Sequence, residues 1–299
     1  MKDKSCCIET QEVFNVRSRF TLSIVTAAAM FGTLLFVSIP AIGQGNGKAA
    51  AKAAPKAVPR MPDGHPDLGN GKGVWDVKKV DDMSGNGFGE RPGEATKAAQ
   101  LKFLDQRVDV EFLPWAKKVF DERQATVSKD DPEGYCLPPG IPRMMNTPFP
   151  MQIFQLPDRI LEVFEGGAHM WRPIYMDGRK HTPPDKWNPT YLGEGIGHWE
   201  GDTLVVDVTG FNDRSWLDSA GHPHTEQLHV TERYTRETYD KLHYQMTIDD
   251  PGAYSKPWSN GWHINWKEGW EPYEYVCQEN NKDVVIENHM VGLKPGEVR

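Results

Sequence analysis

Ile196-Gly-His-Trp-Glu-Gly-Asp-Thr-Leu-Val-Val-Asp-Val-Thr209 reads as two strands joined by a tight turn. Ile196–Glu200 and Thr203–Thr209 flank Gly201-Asp202, a pair of residues suited to a two-residue hairpin. The same period of two extends in both directions. Toward the N-terminus, Met170–Met176 ends at Asp177-Gly178, while Met151–Gln155 and Arg159–Glu165 flank Leu156-Pro157-Asp158. Toward the C-terminus, Leu228–Thr238 and Lys241–Ile248 flank Tyr239-Asp240, and Trp262–Lys267 and Tyr273–Cys277 complete the series. Strands joined by short turns predict a mainly β chain folded as an antiparallel meander. With nine or so strands, closure as a barrel or a strongly curved sheet removes the exposed edges.

Alternation assigns faces. Leu242, Tyr244, Met246 and Ile248 point one way, and His243, Gln245 and Thr247 the other. Trp262, Ile264 and Trp266 share a face opposite His263 and Asn265. The polar faces suit either water or a ligand cavity. One helix precedes the meander: Phe112, Trp115, Ala116, Val119 and Phe120 draw an apolar stripe at helical spacing, with Pro114 in the first turn. A weaker helix signal covers Ala95 to Gln106.

Upstream the chain changes character. Lys2, Lys4, Arg17 and Arg19 precede an uncharged, apolar run from Phe20 to Gly43, and Ala41-Ile42-Gly43 offers small residues at −3 and −1 of a cut. Residues 1–43 therefore read as a secretory signal, and the location expected is periplasmic or secreted. The competing reading is a retained membrane anchor, since about 20 apolar residues span a bilayer. After cleavage no stable membrane insertion is expected. Residues 44–60 form an Ala/Lys/Pro linker with little to bury. Residues 61–299 can build one core: a helical and loop-rich lead-in (61–148), the β meander (149–280) and a tail (281–299).

Of 34 Lys+Arg and 42 Asp+Glu residues, four and three fall within 1–43, leaving 30 against 39 and a formal net charge of −9. So acidic a chain, without a basic patch past the linker, is not built for nucleic acid. Cys6 and Cys7 depart with the signal. Cys136 and Cys277 remain, and an oxidising compartment makes a disulfide the default.

The densest chemical constellation is Asp218, His222, His224, Glu226 and His229. His-x-His sets two imidazoles on one side of an extended chain, and Glu226 continues the parity. His222, His224, Glu226 and His229 would suit zinc, iron or manganese. Asp218 with His222 and His224 would equally serve acid/base catalysis, as would His198 and His243 on strands. The plain alternative is a polar loop whose histidines cap turns. His169 is a third strand histidine by the same pattern. Among the ten tryptophans, Trp262, Trp266 and Trp270 sit closest together as candidates for a ligand wall, and Trp171 with Arg172 are further ligand-binding candidates. Neither Ser215 nor Ser219 sits in a nucleophile motif, and no phosphate-cradling or dinucleotide fingerprint is present.

Five blocks carry a resemblance. They are Met61–Leu68 (MPDGHPDL) with Gly73-Val74-Trp75, Asp130–Arg143 (DDPEGYCLPPGIPR), Ile196–Asp207 with Gly210–Asp213, Gly221–Arg233 (GHPHTEQLHVTER), and Ile248–Tyr254 (IDDPGAY). Together they resemble a family of secreted bacterial proteins of unassigned activity, over nearly all of residues 61–280. The inserted Asn70-Gly71-Lys72 departs from that family's spacing without touching a candidate site. Gly73-Val74-Trp75 is also similar to the opening strand of lipocalin-like barrels, which implies a calycin-type closure. The function expected is an exported enzyme acting on a small aromatic, terpenoid or sugar-derived compound, as a lyase, isomerase or hydrolase. The alternative is a non-catalytic periplasmic barrel that binds a small molecule.

Overall fold

The computed structural model describes residues 56–86 and 103–279. The predicted signal, most of the linker, the tail from 281 and most of the weaker helix at 95–106 lie outside the described residues. Nine strands close into a barrel in chain order: β1 (Gly73–Asp76), β2 (Pro150–Gln155), β3 (Arg159–Phe164), β4 (Trp171–Tyr175), β5 (Glu194–Glu200), β6 (Thr203–Thr209), β7 (His229–Thr238), β8 (Lys241–Asp249) and β9 (Trp258–Glu268). β1 closes the ring by pairing antiparallel with both β2 and β9. Among the described residues, helix α1 (Pro114–Ala125), a single-turn helix α2 (Gly166–His169) and short 3-10 turns accompany the strands.

Register decides what lies inside. Three inward rows cross β6, β7, β8 and β9: Val208–Val230–Ile248–Trp258, Val206–Glu232–Met246–Asn260, and Leu204–Tyr234–Tyr244–Trp262. All twelve are buried, because a period of two sends every second row to one face. The polar rows between them, including Thr231, Gln245, Thr247 and His243, face outward.

Three expectations need correction. The meander is interrupted once: β4 and β5 pair parallel. The chain past Asp177-Gly178 does not turn back as a hairpin but travels through residues 176–193 to the end where β4 began, and a crossover of this length is what parallel pairing requires. Tyr273–Cys277 is not a strand, since both edges of β9 are already occupied by β8 and β1. His169 lies in α2 rather than on a strand, with φ +58°.

The strand directions gather the loops at two ends. At one end Leu68 and Trp75 pack beneath the barrel, and the Arg236 guanidinium donates to the Asp67 carbonyl. The other end, called here the cap, collects residues 77–86, α1, the Pro-rich segment 131–146 and the loops 210–228 and 250–257. Arg143, itself buried, ties the Pro-rich segment through Asp131 (2.6 Å) and Glu133 (2.7 Å). Cys136 forms a disulfide with Cys277, 141 residues away in sequence. A cross-link over a loop of that length stabilises by about 5 kcal/mol in the chain-entropy model. Alkylation of unreduced, denatured protein should therefore leave the Cys136 and Cys277 peptides unlabelled; labelled peptides from both would disprove the bridge. Among the described residues no helix is long and apolar enough to cross a membrane.

Candidate functional site

Segment 218–229 is built into the cap by its own backbone. The Asp218 carboxylate accepts from the backbone N–H groups of Met83 (2.9 Å), Gly221 (3.1 Å) and His222 (3.2 Å), and from His222 Nδ1 (2.8 Å). Further along, the Asp250 carboxylate takes both the N–H and the hydroxyl of Thr225, and the Tyr254 hydroxyl donates to the Pro223 carbonyl. Helix α1 lies over the loop, with Arg123 donating to the Gly221 carbonyl (3.0 Å) and stacking 4.1 Å from the Trp216 ring centroid. Burial pushes the Arg123 guanidinium down to about 10.

His222 and His224 sit two residues apart in opposite environments. The His222 ring lies among Phe120 (4.5 Å between centroids), Phe112 (5.4 Å, stacked) and Trp258 (5.4 Å). It is 1 % exposed. Burial by itself would lower its pKa, but the charge and hydrogen bond of Asp218 prevail and raise it above the ordinary 6.5. Asp218 responds in kind: burial would raise its carboxyl, and the His222 charge holds it below the usual range. His224 has no carboxylate partner of this kind, and burial lowers it below 6.5. Its Nδ1 faces the Thr225 carbonyl (3.3 Å) and must donate there, which leaves Nε2 as the acceptor for the Ser215 hydroxyl at 3.0 Å. Gly140, at φ +79°, makes room for that hydroxyl; a Cβ there would stand 2.8 Å from Ser215 Oγ. Ser215, unmarked by any sequence motif, is thus placed against a neutral imidazole.

The predicted metal set is not brought together. His222 faces Asp218, His224 faces Ser215, His229 bonds Asp207 (2.8 Å), and Glu226 is exposed. Residues on one face of an extended chain converge only if the chain stays extended, and this loop turns back so that Leu217 N–H donates to the His222 carbonyl. Asp82 takes a place that the sequence did not offer: its carboxylate, that of Asp218 and a His222 nitrogen lie within 4.8 Å of one another, all buried. With His222 Nδ1–H committed to Asp218, this trio is arranged to hold a proton.

The remaining candidates scatter. His198 is exposed on β5 beside Glu200 (3.3 Å). His243 is on the outer face of β8, bonded to Asp105 (2.7 Å). Trp262 is fully buried and donates to the Met145 carbonyl, Trp266 packs on Trp75 at the far end, and Trp171 is 61 % exposed outside. The predicted ligand wall is therefore divided among core, end and surface. Arg172 is inside the barrel, where its guanidinium meets Glu162 (2.5 Å), Glu232 (2.7 Å) and the Tyr234 hydroxyl (2.9 Å). Glu232 also accepts from Tyr234 and Tyr244. His181, overlooked in the sequence, bonds Glu194 and Asp207.

No family model, no curated protein and no solved structure matches this chain.

Proposed function

We propose that the protein is an exported enzyme that performs acid/base chemistry on a small aromatic, terpenoid or sugar-derived compound at the cap. A lyase, isomerase or hydrolase reaction fits this machinery. One observation carries the reading: His222 bonds the Asp218 carboxylate (2.8 Å) while His224, two residues on, bonds only the Ser215 hydroxyl (3.0 Å) and a backbone carbonyl, environments that push their pKa values to opposite sides of 6.5. A pair whose environments drive the pKa values apart supplies one proton donor and one acceptor at the same pH. His224, neutral with Nε2 free of its own proton, acts as base toward the Ser215 hydroxyl or a substrate hydroxyl. His222, whose protonated form Asp218 favours, returns a proton, and Asp218 is its positioning residue. Phe112, Phe120 and Trp258 pack around the His222 ring, in keeping with a ring-bearing substrate. The lumen offers a binding barrel less, since Tyr234, Tyr244 and Trp262 fill it at 0 % exposure.

The test is a turnover screen of purified protein on aryl and glycosyl esters, lactones and hydroxylated ring compounds. On a substrate that is turned over, His224→Ala should reduce kcat by at least about 100-fold, the usual scale of a lost general base. The pH profile should be bell-shaped, rising through a pKa below 6.5 and falling through one above it. His222→Gln should remove the alkaline limb. Turnover that survives both substitutions would end the proposal.

A further inference from the structure

The outer face of the sheet carries a second cluster that the cap chemistry does not use. His243 on β8 and His263 on β9 are direct cross-strand partners, and their rings stack 4.5 Å apart at 11°. Asp105 reaches His243 Nε2 from one side (2.7 Å). Glu237 reaches His263 Nε2 from the other (2.9 Å) and lies 3.7 Å from His243 Nδ1. These four side chains come from four separate stretches of chain, so no local sequence pattern brings them together.

Asp105 is able to join because of one residue. Its N–H bonds the Gly261 carbonyl, which fixes the 104–106 segment along β9. From there its carboxylate must cross β9 to reach β8, and it crosses at Gly261, where a Cβ would collide with the Asp105 carboxylate oxygen. The bare position gives the acid its path across the strand.

We propose that Asp105, His243 and His263 form a site for a divalent transition metal of the zinc class. One nitrogen from each imidazole and one Asp105 oxygen already lie within 4.8 Å of one another. Zinc bound at about 2.0–2.2 Å asks its donors to stand about 3.3–3.5 Å apart, so the 2.7 Å Asp105–His243 contact would open slightly to admit the ion. Two imidazoles with a carboxylate match the donor preference of zinc, iron and manganese. The side chains are accessible: His263 is 42 % exposed and Asp105 30 %. Asp105 also borders a polar groove of about 370 Å³ lined by Thr231, Arg233, Gln245 and Ser259.

Chelator-stripped, disulfide-intact protein titrated with zinc chloride in a calorimeter tests the assignment. One equivalent should bind in the micromolar range or tighter, and cobalt(II) should give a visible d–d spectrum at the same stoichiometry. His243→Gln and His263→Gln, both at exposed or half-buried positions, should each weaken binding at least about tenfold while circular dichroism is unchanged. His222→Gln should leave zinc binding as in the parent. Absence of binding by the parent would overturn the proposal. So would binding that persists in the His243 and His263 variants but is lost with His222, which would move the metal to Asp82 and Asp218.

Discussion

Replacing Arg172 with methionine should lower the free energy of unfolding by about 3–5 kcal/mol, the cost of removing one partner from a buried ion pair. Glu162 on β3 and Arg172 on β4 are cross-strand partners inside the barrel, and Glu232 faces them from β7. All three are at most 2 % exposed. Without the guanidinium, two carboxylates share one dry interior. Burial already raises Glu162 against the pull of Arg172, and in the variant a proton would have to enter the core. Glu162 Oε1 and Arg172 Nη1 have no hydrogen bond, so the network is not a fully satisfied one even in the parent. A compensated variant sharpens the test. Arg172→Met with Glu162→Leu, Glu232→Leu, Tyr234→Phe and Tyr244→Phe should recover most of the loss, because an apolar core of similar volume often equals a buried ion cluster. Urea unfolding of the two variants measures both effects. An Arg172→Met protein as stable as the parent would mean that the cluster is not holding the barrel in register.

Asp218→Ala should cost a similar amount, about 3–5 kcal/mol, by stranding a buried imidazolium and several N–H donors. Asp218→Asn keeps the shape and removes the charge, which makes it the more informative change. In the parent, His222 is raised, so its contribution to stability is complete below pH 6.5 and is lost as pH climbs through its higher folded value. Asp218 is lowered, so its contribution is present above 3.8 and is lost as pH falls through its folded value. The gap in stability between parent and Asp218→Asn should therefore be widest between pH 3.8 and 6.5 and narrow on both sides. A gap that does not vary with pH would mean that the two residues share only a neutral hydrogen bond.

The β architecture was readable because a strand's period and a turn's chemistry are local properties. Thr203–Thr209 has the bounds predicted for it, and Tyr244, Met246 and Trp262 lie on the face that alternation assigned to them. The parallel β4–β5 pair was not readable, because the path of residues 176–193 depends on which barrel edge remains open. The site divides in the same way. Asp218 and His222 are four residues apart, and their pairing falls within the segment singled out from the sequence. Asp82 and Asp105 come from 140 and 138 residues away from their histidine partners, a distance that no spacing argument spans. Ser215 was passed over because a nucleophile motif describes a strand-to-helix turn, whereas this serine sits in a loop and meets its imidazole through folding of the cap. Glu226 joins the set by parity and His229 by lying three residues further on, and the turn in the loop sends both elsewhere.

The reading stands on His222 and His224 titrating on opposite sides of 6.5. Heteronuclear NMR of the imidazole Cε1–H signals, followed from pH 4.5 to 9 and assigned with His222→Gln and His224→Gln, measures it directly. A His222 midpoint above 6.5 and a His224 midpoint below it are expected, with the His222 midpoint falling in Asp218→Asn, where the Asp218 charge is gone and the weaker pull of Asp82 remains. Two midpoints that coincide near 6.5, or a His222 midpoint that does not move in Asp218→Asn, would contradict it.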